Sequence, residues 1–303
     1  MDLAHSPIHI EPLARRSVEV ILAGQSPSGG YVACPDFEQY RYSWFRDGSF
    51  IADAMREIGQ VQSADRFFDW CAHAILSRPT GPWDARYTPD GQPDSSPWPK
   101  LQIDGLGLFL GALRRRGDYS RWEEPAALVA RWLEHHWTEP SVDWWEEREG
   151  IHAATLWCVG NGLDSDEIRG EALARAGDRL DGSLLFIGTP EIVARVEQSL
   201  LVDGGVHRHL EDEYYGGGQW LLLTAMLGLA YIDHGRLDDA RACLAWIEAH
   251  AAPNGDLPEQ SQDHLLRPER YQPWVEKWGE PASPLLWSHA MYLRLHHALR
   301  DRR

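Results

Sequence analysis

Cysteine is scarce and dispersed: Cys34, Cys71, Cys158 and Cys243 stand apart, with no CxxC pair among them. That argues against a zinc knuckle and a disulfide framework, and leaves buried free thiols as the expectation. Basic residues are in deficit. With 29 Lys and Arg against 46 Asp and Glu the formal charge is −17, which repels phosphate backbones and anionic lipid. Nucleic acid and membrane surfaces are therefore poor partners. No apolar run reaches the roughly 18 residues of a bilayer span, and the opening "MDLAHSPIHIEPLARRS" lacks the basic stretch and apolar core of a secretory leader. A cytoplasmic protein is expected. Long alternating strands are missing, as is any Ser/Pro/Gly linker between folded blocks. The 303 residues, near the upper limit for one hydrophobic core, are thus read as one domain spanning 1–303.

Tryptophan is what the chain has in plenty, with 15 in 303 residues. Aromatic faces grip ring-shaped polar ligands whose C–H faces are apolar, and sugars are the commonest such ligand; large cores use Trp as well. Helical periodicity is the second abundant signal. Apolar residues recur near a 3.6 period over about 10–24, 47–58, 62–77, 103–116, 119–137, 151–161, 165–178, 188–199, 218–234, 236–250 and 284–299. A weak repeat joins these helices into hairpins. "REIGQVQSADRFF", "RRRGDYSRWEE", "VGNGLDSDEIRGEAL" and "IDHGRLDDARACL" each end one helix on Gly and soon start another on a polar residue. In the last hairpin "QWLLLTAMLGLAYI" is apolar nearly all round, whereas "LDDARACLAWIEAH" is amphipathic. A helix buried on every side needs neighbours on every side, and an amphipathic one faces solvent. An all-α (α/α)6 barrel, with an inner and an outer helix ring, satisfies both. Six hairpins need twelve helices; eleven are visible, so one is missed or irregular.

Long irregular stretches at about 26–45, 79–101, 138–149, 200–217 and 252–282 carry the unusual chemistry, as functional loops do. "YRYSWFRDGSF" sets Arg46 and Asp47, a donor fork beside a pair of acceptors, among Tyr40, Tyr42 and Trp44. That set can hold several hydroxyls at once. "WPKLQIDGLG" places Trp98, Gln102 and Asp104 before an apolar helix; taken alone, a helix-capping Asp104 and a packed Trp98 explain it as well. "HRHLEDEYYGGGQW" offers His207, His209, Glu211 and Asp212 as ligand chemistry. An HxH lacks the i, i+4 spacing of common helical zinc sites and no third ligand is evident, so no metal is expected. Arg208 is the other actor there. Finally "DWWEEREG" and "GDLPEQSQD" carry Glu146, Glu147 and Glu259. Glycoside hydrolysis needs two carboxyl groups flanking one bond, and Glu146 and Glu259 are the candidate pair.

Taken together, "YRYSWFRDG", "WPKLQIDG", "WWEE", "RHLEDEYYGGGQW", "LPEQ" and "LLWSHA" resemble, in order, the motifs of the glucoamylase-like inverting glycosidases, glycoside hydrolase family 15. That family also contains glucodextranases, isomaltose-type glucohydrolases and some trehalases. The resemblance runs from about Gly30 to the last helix. It implies Glu146 as general acid, Glu259 as general base and Tyr40 beside the attacking water. It also implies that Arg46, Asp47 and Arg208 hold the nonreducing-end glucose, and that Trp44, Trp98, Trp145 and Trp287 wall its pocket. Glu147 would face the leaving sugar, with Gln102, Asp104 and Tyr214 in the substrate-binding set. The implied reaction is exo-acting, inverting hydrolysis of small gluco-oligosaccharides to β-glucose, without cofactor, with α-1,6 linkages favoured over α-1,4 and over the α,α-1,1 bond of trehalose. A disaccharide phosphorylase and a non-catalytic sugar-binding barrel remain as alternatives. Two departures stand out. The barrel pattern starts almost at Met1, so the N-terminal β-sandwich domain of many bacterial members is not expected, and the stretch from Glu259 to Trp287 is long and rich in charge and Trp. There Trp274 and Trp278 are expected to cap the pocket over the acceptor sugar, and Arg148 and Glu149 to form a surface ion pair.

Overall fold

A computed structural model describes residues 12–99 and 101–302. Its first six helices are α1 (Pro12–Ala23), α2 (Phe45–Glu57), α3 (Val61–Leu76), α4 (Asp104–Arg116), α5 (Glu123–His136) and α6 (Ala153–Leu163). The other six are α7 (Asp166–Arg175), α8 (Pro190–Ser199), α9 (Leu221–Asp233), α10 (Leu237–Ala249), α11 (Tyr271–Trp278) and α12 (Leu286–Arg300). Helices buried on nearly every side lie inside, since only there do they find neighbours all round. Ten successive residues of α4, Asp104 to Leu113, are buried, and α9 is buried from Leu221 to Gly228. By contrast α5 buries only Pro125, Ala126, Val129 and Leu133, one stripe at helical spacing.

The inner ring closes through α2 on α4, α4 on α6, α9 on α12 and α12 on α2. Between α6 and α9 the fourth inner position is taken by a single 3-10 turn, Gly182–Phe186, which touches both. This is the irregular member of the barrel. "DGSLLFIGT" holds a glycine at each end, one of them Gly188 at φ +67°, too close together for a full helix. The outer partners are α3, α5, α7, α8 and α10, with α1 packed on α12. The twelfth helix, α11, lies outside the rings, inside the 252–282 stretch that reads as irregular in sequence. It has eight residues, with Pro273 in its first turn.

Three of the four hairpin glycines end their helices as expected: Gly59, Gly117 and Gly235 have φ of +85°, +94° and +75°, a region costly for any side chain. The fourth hairpin differs. Asp164 makes the left-handed turn at φ 57°, and the Ser165 side chain caps α7 by accepting from Ile168 N. Gly162 instead lets inner helices touch, because a Cβ there would lie 2.4 Å from the carbonyl oxygen of Gly107 on α4.

Among the described residues, eight strands of two or three residues complete the fold. They are β1 (Ser43–Trp44), β2 (Arg86–Tyr87), β3 (Ser141–Val142), β4 (Glu149–Gly150), β5 (Leu201–Val202), β6 (Gly205–His207), β7 (Gln219–Trp220) and β8 (Gln260–Ser261). β1 pairs with β2, β3 with β4, and β5 to β8 form one antiparallel sheet in sequence order. The four cysteines are free and buried. No helix among the described residues is long and apolar enough to cross a membrane.

Candidate active site

The short strands, rather than the helices, bring the motifs together. Arg208 follows β6, Trp220 ends β7 and Glu259 precedes β8, so one small sheet sets three distant segments side by side. The β3–β4 hairpin presents the turn carrying Glu146 and Glu147. That turn is tied by Asp143, whose carbonyl accepts from Glu146 N at 3.0 Å and whose Oδ1 accepts from Glu147 N at 2.9 Å. Glu146 sits at φ 62°, a left-handed conformation that costs a side-chain-bearing residue energy and marks functional turns. β1 delivers Trp44 to the first residue of α2, from whose first turn Arg46 and Asp47 face inward.

Two chambers meet at this point. The inner one, about 450 Å³, is lined by Ala33, Tyr40, Trp44, Arg46, Asp47, Trp144, Trp145, Glu146, Arg208, Trp220, Glu259, Leu285 and Trp287. The outer one, about 1080 Å³, is lined by Tyr40, Trp98, Pro99, Trp145, Glu146, Glu147, Arg208, His209, Glu211, Glu213, Tyr214, Trp274 and Trp278. Tyr40, Trp145, Glu146 and Arg208 belong to both and form the neck between them. The inner chamber is aromatic with polar points. Phe50 stacks on Trp287 at 5.1 Å and meets Trp144 edge-on at 5.7 Å, fixing that wall from behind. Trp220 Nε1, Glu259 Oε2 and Trp287 Nε1 are buried without hydrogen-bond partners, while Arg46 Nε and Asp47 Oδ2 meet each other as an ion pair at 3.4 Å. Buried polar groups are normally paired, so three such unpaired atoms on the lining of one chamber, beside a buried ion pair, are matched to a ligand rich in hydroxyls.

The two candidate carboxylates differ in their surroundings. Glu146 accepts from Trp44 Nε1 and Trp98 Nε1, each at 2.7 Å, with Arg46 Nη2 3.6 Å away. Its pKa is nevertheless raised, because burial outweighs the charge of Arg46 and the two indole donors. Glu259, 2 % exposed, is pushed up to about 8 by burial, against the opposing charge of Arg208 and the hydroxyls of Tyr40 and Tyr214. Those two hydroxyls lie 3.0 Å apart. Asp47 is raised to about 6, again by burial, with Arg46 opposing. Glu147 is the contrast. Burial would raise it, but the hydrogen bond to His209 and the charge of Arg208 outweigh this and hold it down at about 2.

Arg208 is the hub of the neck. It donates to Asp212 Oδ2 at 2.8 Å, to Asp212 Oδ1 at 2.5 Å and to Glu147 Oε1 at 2.7 Å, and it lies over the rings of Trp145, Tyr214 and Trp220. Ligand atoms of Glu147, His209 and Asp212 come within 4.8 Å of one another, a spacing a metal ion could bridge. The guanidinium bonded to both acids already supplies their cation, and a dication beside it would meet direct repulsion. His207 turns away, with Nδ1 3.0 Å from Gly217 O.

Most of the expected residues line a chamber, but not always the one expected. Trp98 lines the outer chamber rather than the inner one and reaches Glu146 through its indole N–H. Gln102 and Asp104 line neither chamber. Both accept from Arg46 Nη1, at 3.1 and 3.4 Å, so they stand behind the guanidinium instead of on the ligand side. Arg148 and Glu149 form no ion pair with each other; Glu149 is exposed on β4, paired through its backbone to Val142. Trp144, Trp220 and His209 were missed as lining residues, although all three stand inside the quoted motifs. Nothing in the sequence pattern marks Ala33 or Leu285.

Comparison with known proteins shows the family and the fold. Residues 8–166 match the family model of glycosyl hydrolases family 15. An isomaltose glucohydrolase of Kribbella flavida is 36% identical, over 96% of this chain and 94% of the relative. The alignment runs to 361 positions, longer than this chain, so the relative carries internal segments that this chain lacks. A solved glycosidase variant in complex with glucose superposes with a TM-score of 0.84 at 34% identity, over 95% of this chain and 96% of that one. A bacterial glucoamylase complexed with acarbose, at 18% identity and a TM-score of 0.77 over 96% of this chain and 56% of that one, shares the fold. The chain is a glycoside hydrolase and belongs to glycosyl hydrolases family 15.

Proposed function

We propose that this chain is an inverting, exo-acting α-glucosidase that removes β-glucose from the nonreducing end of small gluco-oligosaccharides, with isomaltose-type α-1,6 linkages preferred. The observation that carries this reading is the inner chamber, walled by tryptophans and lined by both Glu146 and Glu259, with three unpartnered polar atoms beside the Arg46–Asp47 ion pair. Trp44, Trp145 and Trp287 face the C–H surfaces of the ring, while Arg46, Asp47 and Arg208 take its hydroxyls. The linkage preference is supported by the isomaltose glucohydrolase relative.

Glu146, at the neck, donates its proton to the glycosidic oxygen as that bond breaks, and its raised pKa keeps the proton available. Glu259 accepts a proton from the water that attacks the anomeric carbon from the opposite face, with Tyr40 beside that water. As a base Glu259 must be ionised; burial opposes ionisation, and Arg208, Tyr40 and Tyr214 favour it. The profile of kcat/KM therefore has an acid limb set by Glu259 and an alkaline limb set by Glu146. The leaving sugar lies in the outer chamber against Glu147 and Tyr214, under Trp274 and Trp278 of α11. Residues 1–303 act as one catalytic unit, since the linings of the two chambers draw on segments from Ala33 to Trp287. Four reduced buried thiols fit a cytoplasmic setting.

The test is incubation with isomaltose, maltose and trehalose, following glucose release and its anomeric form by NMR. β-Glucose first, fastest from isomaltose, is expected. Initial α-glucose overturns inversion, no glucose from any of the three overturns the substrate class, and a phosphate-dependent sugar phosphate points to phosphorolysis. Glu146→Gln and Glu259→Gln should each lower kcat by roughly 10²-fold or more.

A further inference from the structure

Arg86 is a buried cation that lines neither chamber. It sits on β2, directly opposite Trp44 of β1. All three arms of its guanidinium are occupied, Nε by Asp94 Oδ2 at 2.7 Å, Nη1 by Gln39 O at 2.8 Å and Nη2 by Ser96 Oγ at 3.1 Å. Its faces are covered as well. The guanidinium carbon lies 3.8 Å from the Trp98 ring centroid, 4.0 Å from that of Tyr42 and 5.3 Å from that of Trp44. Trp44 and Trp98 are the two indoles that donate to the two oxygens of Glu146.

We propose that Arg86 is a positioning residue for the general acid, a planar wedge locked by Asp94 that holds Trp98 and Trp44 at the angle from which their N–H groups fix the Glu146 carboxyl. The proposal rests on the assignment of Glu146 as the acid. A flat guanidinium suits this place. It stacks on an aromatic face while its edge stays hydrogen-bonded, which an ammonium cannot do. The strained φ of Glu146 sharpens the need for an outside hold, because its turn is the left-handed one. Arg86 also lowers the Glu146 pKa through its charge, beside Arg46, which lowers it more. The other titratable groups coupled to Glu146 are Asp47 and Tyr40.

The test compares Arg86→Met, Arg86→Lys and Asp94→Asn with the wild type on isomaltose, with near-ultraviolet circular dichroism to confirm folding. Misplacing a reacting group by an ångström costs up to about 10²-fold, so kcat should fall at least tenfold in Arg86→Met and less in Arg86→Lys. KM should change less than kcat, because Arg46, Asp47 and Arg208 keep their places around the sugar while the acid is displaced. The alkaline limb should move to higher pH in Arg86→Met, which loses a cation near Glu146, stay in place in Arg86→Lys, and move to lower pH in Asp94→Asn, where the cation loses its counter-ion. A purely architectural Arg86 predicts folded variants with wild-type kcat and unmoved limbs, and that result overturns the proposal. If Arg86→Met fails to fold, the fall in kcat with an unmoved limb in Arg86→Lys and the limb shift to lower pH in Asp94→Asn decide alone. Glu146→Gln is run in parallel. Near-normal turnover there removes the acid assignment itself, whereas an inactive Glu146→Gln with normal Arg86 and Asp94 variants removes only the role given to Arg86.

Discussion

Replacing Glu259 with Gln removes a titration from the core while keeping its shape, and the structure fixes both the sign and the size of the consequence. Burial moves this carboxyl from an ordinary 4.5 to about 8. The folded chain therefore disfavours the ionised form and the unfolded chain does not. The stability carried by the protonated carboxyl is complete below pH 4.5 and is lost as pH rises to about 8. At about 1.4 kcal/mol per pH unit the loss is about 3 kcal/mol at pH 7 and about 5 kcal/mol above pH 8. Gln has no such dependence. Glu259→Gln should thus gain on the wild type steadily between pH 4.5 and 8, by roughly 5 °C in melting temperature at pH 7. Arg208 keeps its partners Asp212 and Glu147 in the variant, so no unpaired cation offsets the gain. Melting curves of both proteins at five or six pH values measure it directly. A difference that stays flat from pH 4.5 to 8 refutes the reasoning, because it means that Glu259 is not held against ionisation. Activity should move the other way, as in sites where stability is sacrificed for function.

Other perturbations probe the rest of the neck. At Glu146, relief of the left-handed backbone, about 1–2 kcal/mol, outweighs the entropic cost of glycine in the unfolded chain, about 0.4–1 kcal/mol. Glu146→Gly should therefore melt slightly above Glu146→Ala, and the reverse order in denaturant titrations would show that the turn is unstrained. Arg208→Met strips the guanidinium bonded to both oxygens of the fully buried Asp212 and should cost about 3–5 kcal/mol in urea unfolding; a loss under 1 kcal/mol would mean that Asp212 finds another partner. Trp274→Ala and Trp278→Ala open the roof of the outer chamber. KM for isomaltose should rise several-fold with a changed ratio to maltose, and an unaltered preference would leave α11 no part in holding the leaving sugar.

The barrel was legible because a helix buried all round and an amphipathic one leave different traces over a dozen residues, as in α9 and α10. The fourth inner position was not, because Gly182–Phe186 is one turn, shorter than any window in which a 3.6 period can be recognised. The same limit hides α11, whose eight residues include a proline. For the site, the carboxylates and Arg46, Asp47 and Arg208 were readable from residue type and loop position, since chemistry of that kind has few other uses beside aromatics. What pattern could not reveal is which partner each one meets. Gln102 and Asp104 carry the chemistry of sugar ligands, yet the chain turns them onto Arg46. The strands that decide this are two or three residues long and show no alternation. They act by register: β1 against β2 places Arg86 beside Trp44, and β7 between β6 and β8 pairs Trp220 with Val206 and Gln260, in the segments that carry Arg208 and Glu259. A slip of one residue in either pairing would turn those side chains to the opposite face of the strand. The acid and its indole donors, or the base and its arginine, would then part while every helix of the barrel stayed in place.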